Sequence, residues 1–464
     1  MQIKEFLNNV CEQIKYKPIR NEISEELENH IKEAKENYIQ EGIKEIEAEE
    51  KAINQMGKAE EIGKKLNKIH KPKLDWKLLI MVVITLAFGF LVAFTRAIKY
   101  EIISFGGDIR AIIVFAICTV IGLLLSIGIY FFDYRKLQKN SKYLYILATA
   151  IIILSIIFST NTYGRVYLNF GIARVSPAIF TMPLYIIAFV GFIQNLKKQS
   201  KIKIVIEEKE FNISLLKIII VLSIISIILF LAVDYITSAI ILALTYLVIS
   251  TIKLLQLKEN RRKYITTLWS IPTILIILIT CLLINSNGMF RMNRIIGSFY
   301  PETDPTGAGW QGMLQKQVIN SAKLIGEADM EVAIEDNLTK DDYLRVFDDG
   351  TNFAFISILA HYGWIISIGM VMTIILLNTK LIINSIKIKD EYGKLLIVGI
   401  ATTFILQSIF NLLMNLNLGI KADFNIPLIS YSGISLIINM MSLAVTFSVY
   451  RRKDVILNIE KQIV

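Results

Sequence analysis

From Trp76 to Lys453 the chain alternates long apolar runs with short polar breaks; before Trp76 it does not. A helix needs about 18 to 20 apolar residues to cross a bilayer. Ten runs are candidate spans, several of them exceeding that length: about 77–95, 111–132, 143–159, 177–195, 215–233, 237–256, 264–284, 353–377, 394–414 and 428–449. Residues 1–72 carry a different rhythm. In NEISEELENHIKEAKENYIQEG, Ile23, Leu27, Ile31, Ala34 and Tyr38 recur at helical spacing among Glu and Lys, and Gly42 marks a stop. A second helix over IKEIEAEEKAINQM turns Ile46, Ala52, Ile53 and Met56 inward and stops at Gly57. The pattern predicts an all-α chain: a small helical domain over 1–72, then a membrane domain of about ten transmembrane helices over 77–450.

Composition agrees with the pattern. With 54% hydrophobic residues and a mean hydropathy of +0.53, the chain is too apolar for an ordinary soluble globule. Its first 75 residues hold no apolar core of a signal peptide, so no cleavable leader is expected. The net charge of +10 comes from clusters at span ends: Arg135-Lys136, Lys197-Lys198, Arg261-Arg262-Lys263 and Arg451-Arg452-Lys453. Such clusters follow the positive-inside rule and need no nucleic acid to explain them; membrane lipids are the expected surroundings. An even number of spans puts both termini on one side, and the clusters make that side the cytosol. Cys11, Cys118 and Cys281 have neither metal-ligand spacing nor an obvious disulfide partner. No phosphate-cradling Gly-rich loop, paired Cys/His site or Ser-His-Asp arrangement is present, so no metal site is assigned.

One connection is long. The loop 285–352, expected outside, holds Arg291 and Arg294, then PETDPTGAGWQG, then helix-like patterning over QGMLQKQVINSAKLIG, and an acidic stretch that closes on Asp348 and Asp349. Long loops in compact proteins tend to carry function. No internal repeat is evident, which argues against transporters built from symmetric halves.

Four stretches, taken in order, carry a family resemblance. They are GRVYLNFGIARVSP with Arg165, RMNRIIGSFYPETDPTGAGWQ with Gln311, TNFAFISILAHYGWI with Phe353, Phe355 and Gly363, and QSIFNLLMNLNLGIKADFNIPLISYSGISL with Gln407, Asn411, Pro427, Ser430, Tyr431 and Gly433. This set resembles the FtsW/RodA/SpoVE family of bacterial cell-wall polymerases. The resemblance implies ten spans, a large outer loop between spans seven and eight, and location in the bacterial cell membrane. It further implies polymerisation of lipid II into glycan strands beside a class B penicillin-binding protein. It implies substrate contacts at Arg165, Gln311, Gln407, Asn411, Ser430 and Tyr431; Arg291 and Arg294 fit phosphate contacts or interfacial anchors. Residues 1–72 separately resemble the helical prefix domain of some bacterial permeases.

The resemblance fails at one chemically decisive place. Extending a glycan requires a base to take the acceptor hydroxyl proton, and Arg or a divalent cation to neutralise the departing pyrophosphate. The family's acid falls on Asn352, and an amide accepts no proton at physiological pH. Ala360 and His361 stand where two further Glu are expected. Asp349 or Asp348, just upstream, or His361, which titrates near neutrality, are the alternative bases. Three readings stay open: a lipid II polymerase, a catalytically defective homologue that scaffolds a penicillin-binding protein, and a lipid or solute permease.

Overall fold

The structure is a computed structural model that describes residues 3–69, 73–99, 109–158, 160–162, 165–169, 174–200, 208–233, 235–255, 293, 296–329, 347, 352–419, 424–429 and 433–453. It forms two compact units. One is Met1–Asp75 with Lys387–Asp390 and Phe447–Val464; the other is Trp76–Ile386 with Glu391–Thr446.

The first unit holds helices α1 (Ile3–Glu12), α2 (Arg20–Gln40), α3 (Glu45–Met56) and α4 (Ala59–Ile69). Phe6, Leu7, Val10, Ile14, Ile19, Ile23, Ile31, Ala52 and Ile53 make its core, with Leu27, Ala34, Tyr38 and Met56 packed around it. Gly42 and Gly57 stop α2 and α3 at φ of +89° and +90°, where a side chain would be strained. Ile46 departs from expectation: it is 81% exposed, while Ala48 is fully buried. At about 100° per residue the two lie on opposite sides of α3, and the inward face passes through Ala48, Ala52 and Ile53. Lys35 bonds Glu45 and Glu49, both at 3.0 Å, and these two carboxylates hold its ammonium above the usual lysine range.

The second unit is the membrane domain. Its helices are α5 (Trp76–Lys99), α6 (Ile109–Phe131), α7 (Arg135–Lys139), α8 (Ser141–Phe158), α9 (Pro177–Ser200), α10 (Glu208–Ala232), α11 (Ile236–Leu254), α12 (Trp310–Ser321), α13 (Ala354–Tyr362), α14 (Trp364–Lys387), α15 (Glu391–Asn415) and α16 (Gly433–Arg451). Eight of them are long and apolar enough to cross a membrane among the described residues: α5, α6, α8, α9, α11, α14, α15 and α16. Within α10, Ile220–Ala232 is a shorter apolar piece, and the run expected at 264–284 lies outside the described residues. Burial separates centre from rim. The spans of α9, α15 and α16 are each 61% buried, whereas α6 is only 11% buried and turns its apolar face outward. Hydrophobic all round, such helices suit a lipid surround.

Between α8 and α9 runs a small antiparallel ribbon, β1 (Thr160–Thr162), β2 (Arg165–Asn169) and β3 (Arg174–Val175), with Thr160 opposite Tyr167 and Leu168 opposite Val175. It leaves the class all-α. The hydroxyl of Tyr235 donates to the carbonyl of Val166 at 2.8 Å, tying the ribbon to the start of α11. At the opposite end of these helices, Lys253 of α11 pairs with Glu391 of α15. Gln194 of α9 bridges both, at 3.2 Å to Lys253 and 3.0 Å to Glu391.

Candidate functional site

The segment TNFAFISILAHYG does not begin a span, as its apolar run suggests. It folds as the nine-residue α13, ends at Gly363, and a separate helix α14 does the crossing. Every residue from Ala354 to His361 is buried, so the run is apolar because protein surrounds it. The break is possible because residues 323–328, which follow α12, supply hydrogen bonds to both helix ends. Gly326 and Ala328 N–H groups donate to the carbonyls of Tyr362 (3.2 Å) and Ala360 (2.8 Å). Trp364 and Ile365 donate to Lys323 (2.9 Å) and Leu324 (3.1 Å). Backbone ends buried away from water must be satisfied by protein, and here they are. Gly363 sits at φ +84°, and a Cβ there would stand 2.6 Å from the Lys323 carbonyl oxygen. Only glycine fits.

The start of α13 is held from α15. Gln407, Asn411 and Asn415 recur every fourth residue and so share one face of that helix. Asn411 and Asn415, both fully buried, each donate from Nδ2 to the carbonyl of Asn352 at 3.0 Å. Asn411 also donates to Phe424 at 2.9 Å, and Asn415 donates to the Asn411 Oδ1 at 2.9 Å. The Oδ1 of Asn415 then accepts from the Ile356 N–H at 3.2 Å, capping an orphan amide in the first turn of α13 from a different helix. The clamp grips the main chain of Asn352. It would hold an aspartate there equally well.

Below the clamp, Phe424 to Ile429 form irregular, fully enclosed backbone, with Leu428 at φ +67°. The last span therefore starts at Gly433 instead of 428. Gly89 of α5 lets this segment approach: a Cβ there would lie 2.6 Å from the Leu428 carbonyl oxygen. Beside it opens a narrow cleft, whose walls include Met182, Thr403, Gln407, Asn425, Ser435 and Asn439. Gln407 Nε2 rests 3.8 Å from the Met182 sulfur, and its buried Oε1 meets no partner among the described residues. Thr403 and Ser442 turn their hydroxyls back onto Gly399 and Ile438 of their own helices, at 2.8 and 2.9 Å. None of the described residues that line the cleft is charged.

The loop phrase PETDPTGAGWQG builds a turn around Asp304, whose carboxylate accepts from the N–H groups of Gly307 (3.1 Å) and Ala308 (2.8 Å). Lys316 pairs with Glu302 across this turn and holds that carboxyl below its usual range. The turn delivers Gln311 at the start of α12 into a pocket shared with Phe353, next to the clamped Asn352. His361 occupies the last turn of α13, 6% exposed. Arg165 lies in β2 opposite Thr162, without a described side chain. Asp348, Asp349, Arg291, Arg294, Ser430 and Tyr431 lie outside the described residues. Asn415 is the residue sequence reasoning missed, although its spacing from Asn411 placed it on the same stripe. Among the described residues no three His, Cys, Asp or Glu side chains gather to hold a metal ion.

Among the described residues, eight apolar helices, a short buried helix pinned by an asparagine clamp and an irregular enclosed segment define a multi-pass membrane protein with a polar junction at one end of its helices. The chain belongs to the FtsW/RodA/SpoVE family of cell cycle proteins, whose family model matches residues 75–454. The probable peptidoglycan glycosyltransferase FtsW of Nitrosomonas europaea is 25% identical over 387 residues, covering 81% of this chain and 92% of that protein. The FtsW of Trichlorobacter lovleyi is 26% identical over a shorter stretch, 34% of this chain and 40% of that protein. A chain of a peptidoglycan synthase complex that coordinates polymerization and crosslinking superimposes with a TM-score of 0.61 at 17% identity, over 82% of this chain and 98% of its own. That likeness concerns the fold.

Proposed function

We propose that this protein acts in peptidoglycan synthesis, binding lipid II at the outer leaflet of the bacterial membrane and extending it into glycan strands beside a class B penicillin-binding protein. The observation that carries the reading is the Asn352 junction, where the family-matched phrases meet: Gln311 and Phe353 share one pocket, and Asn411 holds the Asn352 carbonyl. The neighbouring uncharged cleft suits the lipid-bearing part of a substrate better than its pyrophosphate. Arg291 and Arg294, or a divalent cation, neutralise that group in this reading. Both termini lie in the cytosol, with the long loop outside. The base is Asp348 or Asp349, since Asn352 accepts no proton.

A second reading has its own observation. Asn352 removes the family's carboxylate while the clamp that positions it is intact, as in a homologue that keeps the scaffold and lacks the chemistry. Polymerisation of purified lipid II by the full-length protein with its penicillin-binding partner separates the two. Glycan strands that vanish in Asp348→Ala/Asp349→Ala support the polymerase. No strands from the native chain, with strands from Asn352→Asp, support the scaffold. Transport of solute by proteoliposomes lacking a penicillin-binding protein would overturn both in favour of a permease.

A further inference from the structure

The small helical unit keeps its charges apart. Residues 20–56 hold 11 acidic and five basic side chains, whereas residues 62–75 hold five lysines and one acid, Asp75, which is buried. Pairing differs as well. Every lysine on α2 and α3 meets a carboxylate: Lys32 meets Glu28 at 2.8 Å, Lys35 meets Glu45 and Glu49, and Lys51 meets Glu47 at 3.1 Å. On α4, Lys64, Lys65 and Lys68 are exposed and form no ion pair among the described residues. At about 100° per residue the three share one side of the helix, opposite Ile62, Gly63 and Leu66, which pack inward. The acids of α4, Glu60 and Glu61, stand in its first turn, where the helix dipole favours them.

The lysine face lies near the end of a membrane span. Asn67 of α4 accepts the Lys15 N–H at 3.0 Å, and the Lys73 N–H donates to the Arg451 carbonyl at 3.4 Å. Next to Lys15, the Tyr16 ring has the Arg451 guanidinium 6.0 Å from its centre. Arg451 closes α16, whose 19 residues at about 1.5 Å each cover roughly one hydrocarbon thickness. These contacts bring the turn between α1 and α2, and α4 with it, to the bilayer surface. Lys15 and Lys17 in that turn are exposed too. Orientation rules count lysines near span ends and are indifferent to which helix face they share. They do not account for the sorting of paired from unpaired lysines inside one small domain; an anionic surface on the α4 side does.

We propose that Lys64, Lys65 and Lys68, with Lys15 and Lys17 beside them, dock on the phosphate headgroups of anionic phospholipid at the surface where α16 ends. Each ammonium donates to lipid phosphate oxygens without giving up a partner within the protein. The helical unit is then held to the membrane by charge as well as by its contacts with α16. Its hold tracks the anionic lipid content and weakens with salt.

Hydrogen–deuterium exchange tests this on the full-length protein in nanodiscs of phosphatidylcholine alone or mixed with phosphatidylglycerol. One lysine at an anionic surface is worth about a fivefold shift, so exchange across α4 should slow at least about fivefold in the anionic discs. Lys64→Gln/Lys65→Gln/Lys68→Gln should erase the difference. Lys64→Arg/Lys65→Arg/Lys68→Arg keeps the charge and should retain it, as should Lys32→Gln/Lys51→Gln, which touches only paired lysines. High salt should erase it without any substitution, an arm that decides the matter even if the glutamine variant disturbs the fold. Equal exchange across α4 in both discs, or a difference that survives high salt or the glutamine variant, would overturn the docking. So would inorganic phosphate that slows α4 in neutral discs as much as phosphatidylglycerol does, since the face would then serve a soluble anion.

Discussion

At the residue scale the informative group is Asn415. Its amide ties three elements: the Asn352 carbonyl, the Asn411 side chain and the Ile356 N–H. A buried amide network stabilises only when all its members are satisfied. Asn415→Ala strands the Ile356 N–H and leaves the Asn352 carbonyl with one of its two amide donors. At roughly 1–3 kcal/mol for an unsatisfied buried group, the expected loss is about 2–3 kcal/mol. Thermal unfolding in detergent measures it, and a melting temperature equal to the parent's would show that the clamp contributes nothing. Gln311, Gln407 and Asn411 were visible in the sequence because they sit in family-matched phrases. Asn415 was not, since nothing in a local pattern tells a capping asparagine from a solvated one; only the partner brought from about sixty residues away does.

At the element scale, 353–377 looked like one span because an apolar run carries no mark of whether lipid or protein surrounds it. The deciding information was nonlocal: the carbonyls of Lys323 and Leu324 stand ready for α14, and the N–H groups of Gly326 and Ala328 for the end of α13. Gly363 makes that exchange possible, and two glycines of neighbouring number give a controlled comparison. Gly363→Ala forces a side chain into the left-handed region and against the Lys323 carbonyl, a cost of about 3 kcal/mol. Gly369 lies within α14, and a Cβ there would meet only the Phe88 ring at 3.8 Å. Gly369→Ala should be neutral or gain up to about 1 kcal/mol from helix propensity. Parallel melts of the two variants check this; equal losses would mean that the break at Gly363 is not a required turn. The same logic explains the late start of α16, where enclosed backbone against Gly89 replaces a turn of helix that hydropathy alone would draw.

At the scale of the whole molecule, class and membrane residence were legible early, because long apolar runs and their basic flanks record the bilayer directly. Sidedness rests on those flanks, and exposed positions in each unit allow it to be measured. Ile46 on α3 is 81% exposed and Leu324 in the long loop is 72% exposed, so a cysteine at either is open to reagent without disturbing a core. In a background with Cys11, Cys118 and Cys281 replaced by serine or alanine, a membrane-impermeant maleimide should label Leu324→Cys in intact cells. Ile46→Cys should label only after the membrane is permeabilised. Positive-inside bias acts through lysine and arginine near span ends, so the near-balanced charge of the first unit does not weaken the expectation. Labelling of Ile46→Cys in intact cells would reverse the orientation and move the Asn352 junction to the cytosolic face, out of reach of any outer-leaflet glycan acceptor.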